Sequence, residues 1–113
     1  MRVLCMQFQP RRAAGLDVLF VTILMARIAV TTGCGFAFHR DSDRGPYINY
    51  VFHSPAPGRV WRALHQQALG HRRIGTRLRR ATIVTCQRSR GWKNYLLLHH
   101  FDNALPLDTL AGA

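Results

Sequence analysis

Residues 16–30 read LDVLFVTILMARIAV, the only long apolar run in a chain of 113 residues. Such a run must be hidden from water, in a protein core or in a bilayer, and that choice decides the fold. A spanning helix needs about 20 mostly apolar residues. Residues 13–38 are long enough, but Asp17 and Arg27 interrupt them. The apolar side chains of the run favour insertion by about 4 kcal/mol, and an Asp and an Arg at the centre of a span oppose it by about 5–7 kcal/mol. An interfacial Asp17 and a snorkelling Arg27 lower that cost, so insertion is marginal. The uninterrupted piece, residues 18–26, is too short to span alone. A helix that is apolar on nearly every side is usually buried. The β-branched content also permits a buried strand, but the run exceeds normal strand length. It is therefore read as a buried core helix, with a membrane segment as the alternative. Gly33 stands where a helix C-cap glycine belongs.

On the N-terminal side, residues 3–8 alternate, with Leu4, Met6 and Phe8 on one face, and Pro10 ends that strand. On the C-terminal side, GFAFH (35–39) and YINYVFH (47–53) flank the turn cluster DSDRGP (41–46). Together they predict a hairpin whose Ile48, Tyr50 and Phe52 share a face. Over residues 59–69, Val60, Trp61, Leu64 and Ala68 form one apolar stripe, and Gly70 occupies the cap position. Residues 71–81 put Ile74, Leu78 and Ala81 on one side, as a shorter helix or an extended basic loop. Gly75 weakens the helix by about 1 kcal/mol relative to Ala. TIVTCQ (82–87) is strand-like, a turn follows at 88–91, and WKNYLLLHHF (92–101) supplies the second strand of another hairpin. Residues 102–113 read as a loose tail.

This order predicts a single small α+β domain over residues 1–101. An antiparallel sheet of about four to five strands carries two helices on one face, in ferredoxin-like order.

The charge is lopsided: sixteen Lys and Arg against five acids, a formal +11, with Lys93 the sole lysine and no Glu. This favours anionic partners, whether nucleic acid, acidic lipid headgroups or an acidic protein. Arginine in place of lysine is also what a GC-rich reading frame yields without selection. A chain with no evolved biochemical function is thus a competing reading, and it predicts poor stability. A hydrophobic content of 48% opposes wholesale disorder. Cys5, Cys34 and Cys86 form no CxxC and no zinc spacing. They read as buried free thiols of a reducing compartment, so a cytoplasmic location is expected, with the membrane as alternative. Arg2, Arg11 and Arg12 precede the apolar run as in a secretory signal, but Arg27 breaks that run and no small-x-small cleavage site follows.

Few residues suit catalysis. His65, His71, Cys86, His99, His100 and Asp102 are the only set from which a metal site could be drawn. His99 and His100 are adjacent and would point to opposite faces of a strand, and zinc needs about four converging ligands. A Cys86–His nucleophile pair has no local support. Asp41 and Asp43 suit the turn, and Gly33 and Gly35 make no phosphate-binding fingerprint. The chain is accordingly read as a binding or interaction module without cofactor or metal, not as an enzyme. The signal with functional weight is arginine: Arg72, Arg73, Arg77, Arg79, Arg80, Arg88 and Arg90, with no acid among them. Guanidinium groups grip phosphate bidentately and stack on bases. Tyr47, Tyr50, Trp61 and Trp92 are the stacking candidates. Nucleic acid or another polyanion is the expected partner. A basic surface beside a membrane, or a merely solvated charged face, are the alternatives.

Overall fold

Alternation along β1 (Arg2–Phe8) sets the two sides of the sheet: Leu4, Met6 and Phe8 are buried, Val3, Cys5 and Gln7 half-buried. The computed structural model describes residues 1–42, 45–88 and 94–113. β3 (Tyr47–Ser54) pairs antiparallel with β1 and turns Ile48, Tyr50 and Phe52 to the same buried side. β2 (Gly35–Asp41) pairs with β3, β4 (Thr82–Gln87) with the other edge of β1, and β5 (Tyr95–His100) with β4, all antiparallel. The order is β2-β3-β1-β4-β5. Its first four strands have the ferredoxin-like arrangement, and β5 extends one edge. The expected α+β fold is the observed one, with β2 paired to β3 and β4 to β5 as expected; residues 43–44 and 89–93 of the two expected turns lie outside the described residues.

The apolar run is α1 (Val18–Thr32). Asp17, which interrupts the run in the sequence, is its N-cap: its carboxylate accepts from the Leu19 N–H at 2.9 Å. Gly33 ends the helix at φ 67°, in the left-handed region, and its N–H donates to the Ala29 and Val30 carbonyls. Fifteen residues make a rod of about 22 Å, against the roughly 30 Å of a hydrocarbon core. Among the described residues no helix is long and apolar enough to cross a membrane.

The expectation of a helix buried all round needs correction. Val21, Met25, Ile28 and Ala29 are buried, but Leu19 (65% exposed), Phe20 (42%), Ile23 (52%) and Val30 (80%) face outward. A layer of helices lying on one sheet buries only one stripe of each helix, and no second layer covers the outer stripe.

α2 (Pro57–Leu64) carries Val60 and Leu64 into the core, and Trp61 packs half-buried beside them. The helix then widens into π-helical turns over His65–Leu69. Gly70 follows with φ −96°, so it is not a left-handed cap. It is required by proximity instead, since a Cβ there would sit 2.8 Å from the Gln66 carbonyl oxygen. Only Gly75–Arg79 of the basic stretch is helical (α3), with Ile74, Leu78 and Ala81 buried as the spacing predicts. The tail has no helix or strand but is tied at two points. The Asp108 carboxylate accepts from the Leu97 N–H, and Leu110 is buried.

Candidate polyanion interface

The helix layer carries a cluster of arginines. Arg72 and Arg73 lie on the turn after the π-helical segment, and all of Arg72, Arg73, Arg77, Arg79 and Arg80 are exposed. His71 organises that turn: its Nδ1 accepts from the Arg73 N–H at 3.1 Å, while its ring meets Phe20 of α1 edge-on at 5.8 Å. The contact brings α1 beside the basic turn. Arg27, exposed on α1, thereby joins Arg72 and Arg73 around an open groove of about 710 Å³ that Gln66, Gln67 and Gly70 also line. Sequence spacing alone does not associate Arg27 with this group. The signal was its position as a lone cation on an apolar helix.

The seven predicted arginines are not equivalent. Arg77 and Arg80 are three apart across the end of α3, so their side chains lie on neighbouring positions of one surface. Arg79 is committed to the fold: its guanidinium donates to the Leu69 carbonyl at 2.9 Å and to Thr76 Oγ1 at 3.2 Å, stapling α3 to the end of the π-helical segment. Arg88 lies past the far end of β4, about 26 Å of extended chain from Arg80, and does not join the group. Arg90 lies outside the described residues, as does Trp92. Of the stacking candidates, Tyr50 is fully buried and offers no face to a base. Trp61 stands against His65 with ring centroids 5.5 Å apart. Tyr47 lines a separate groove with Arg11 and Arg12, where the Arg12 guanidinium sits 3.5 Å over the Phe101 ring. None of the described arginines is ion-paired with a carboxylate.

Among the described residues, no group of three or more His, Cys, Asp and Glu side chains is placed to hold a metal ion. His99 Nε2 hydrogen-bonds the Arg79 carbonyl at 2.9 Å, and burial lowers its pKa below the usual 6.5. His100 Nδ1 instead accepts from the Asp102 N–H. Cys86 is buried, and burial raises its thiol pKa, which does not suit a nucleophile. No family model, curated protein or solved structure matches this chain.

Proposed function

We propose that the protein is a polyanion-binding module, with a nucleic-acid backbone as ligand class, acting through Arg27, Arg72, Arg73, Arg77 and Arg80. One observation carries this reading: Arg27, Arg72 and Arg73 are exposed around one groove, Arg77 and Arg80 are exposed at the end of the following α3, and none of the five is ion-paired with an acid. Unpaired arginines gain most from phosphate, because both contacts of the planar fork remain open. The grip is on phosphates, so sequence preference is weak. Arg79 contributes charge but mainly holds the surface in shape. The test is fluorescence anisotropy at low salt with one labelled duplex and one single strand. Binding of both with similar affinity supports the reading, and no binding of either overturns it.

A second reading, peripheral attachment to an anionic bilayer, is favoured by the outer stripe of α1. Leu19, Ile23 and Val30 follow one another at helical spacing, exposed, with Arg27, Arg72 and Arg73 alongside. Basic side chains at an acidic surface contribute about 1 kcal/mol each. Co-sedimentation with anionic vesicles, abolished by Ile23→Asp, separates this reading from the first, which Ile23→Asp leaves unchanged.

A further inference from the structure

The side of the sheet opposite the helices has a different character. Its centre is lined by Val3, Cys5, Val51, Thr85, Gln87 and Tyr95 around a shallow cavity of about 200 Å³. Strand residues opposite one another share a face, so the register shows which charges belong here. The strand arginines Arg2 and Arg40 stand opposite Ser54 and Ile48, both buried on the helix side. Among the described residues, therefore, no Lys or Arg of any strand lies on the open face, in a chain of net charge +11. Arg11 and Arg12 border it at one end, in the groove that Gln7 and Tyr47 also line, so the cations near this face stand at its rim and not at its centre. A polyanion finds little charge across the centre, whereas two copies of the chain can meet there with most of their arginines outside the contact.

The polar groups of the face suit the same partner. Gln7 lies opposite Asn49, with Thr85 and Gln87 on the next strand. Side-chain amides and hydroxyls both donate and accept, which an isologous contact requires, because each group meets its own kind across the two-fold axis. Five strands spaced at about 4.8 Å and roughly 20 Å long give a flat footprint of about 480 Å² per copy. Two such footprints total about 1,000 Å², the lower limit of specific interfaces.

We propose that the open face of the sheet is where a second copy of the chain docks, sheet against sheet, forming a weak two-fold dimer with both basic helix layers outermost. Sheets pack face to face at about 10 Å, close enough for Val51 and Tyr95 to fill the partner's shallow cavity. The proposal stands on the sheet and is independent of what the arginines bind.

Sedimentation velocity from about 1 µM to about 200 µM brackets the micromolar affinity expected of so small an interface. The wild type should pass from monomer to dimer. Thr85→Arg at the centre, and Tyr95→Arg at an exposed position where folding is not at stake, should each keep the chain monomeric, while Ile23→Arg on α1 should leave the dimer intact. A wild type that stays monomeric throughout, a dimer that Tyr95→Arg does not weaken, or a dimer lost only in Ile23→Arg overturns the proposal.

Discussion

The Thr22 hydroxyl of α1 and the Tyr50 hydroxyl of β3 lie 2.7 Å apart, and this hydrogen bond clamps the helix to the sheet. Tyr50 is fully buried, with Phe36 stacked nearly parallel at 6.4 Å. Thr22 Oγ1 also reaches the Val18 carbonyl at 2.9 Å. Tyr50→Phe keeps the ring and removes the clamp, so it should cost about 1 kcal/mol. Thr22→Val should cost a similar amount, and the double change little more than either alone, as for partners in one contact. Thermal melts of the three variants check this, and fully additive losses would show that the two hydroxyls act separately.

Leu64 and Ile23 provide a contrast in the same layer. Leu64 is wholly buried and Ile23 is 52% exposed. Leu64→Ala should cost about 2–5 kcal/mol, and Ile23→Ser less than about 0.5 kcal/mol. A denaturant titration measures both. A cooperative wild-type transition in the same experiment also counts against an unselected chain that does not fold.

Arg79 and Arg77 should behave oppositely. Arg79 ties α3 to the Leu69 carbonyl, whereas Arg77 is exposed with no partner. Arg79→Ala should lower stability by about 1 kcal/mol, while Arg77→Ala should leave stability unchanged and weaken polyanion binding. Unfolding midpoints and anisotropy on the same two variants read out the difference.

His99 predicts an acid sensitivity. Its pKa is lowered in the folded protein, by burial first, and the neighbouring charges of His100, Arg79 and His65 act in the same direction, while the hydrogen bond to the Arg79 carbonyl opposes them. The folded state thus binds the proton less readily than the unfolded state. The stability contribution is whole above about pH 6.5 and is lost as pH falls below it, toward the lowered folded value. His99→Gln should flatten that part of the stability–pH curve measured by denaturant titration. An unchanged slope would remove His99 from the account.

Cys5 predicts a thiol that reacts slowly. Burial pushes its pKa up to about 11, so little thiolate is present near neutral pH. Mass spectrometry after timed alkylation should show Cys5 modified more slowly in the native than in the unfolded chain. Equal rates would mean that the open sheet face gives this thiol no protection.

Much of the fold was legible because its signals are local. Alternation in residues 3–8 and 47–53 assigned Leu4, Met6, Phe8, Ile48, Tyr50 and Phe52 to the buried side, where they lie. Gly33 marked the end of α1. The sites were less legible, because they depend on which elements meet. Arg27 reaches Arg72 and Arg73 only because Phe20 packs against His71. Arg79 is diverted to a carbonyl ten residues earlier, and β4 carries Arg88 away from the group. Asp17 reads as a flaw in an apolar run until the helix begins at the next residue and uses it as a cap. The outward stripe of α1 could not be told from a buried one, because composition does not state how many layers cover a helix.

If the exposed arginines of the helix layer grip phosphates, binding falls steeply as salt rises. Four to five neutralised phosphates give a slope of about −4 in log K against log salt for duplex DNA. Replacing Arg77 and Arg80 together by Ala should reduce that slope by nearly two units and weaken all sequences alike, whereas Arg88→Ala, remote from the group, should change it little. A slope unaffected by the Arg77 and Arg80 changes, or no binding at low salt, would show that these arginines hold no phosphate.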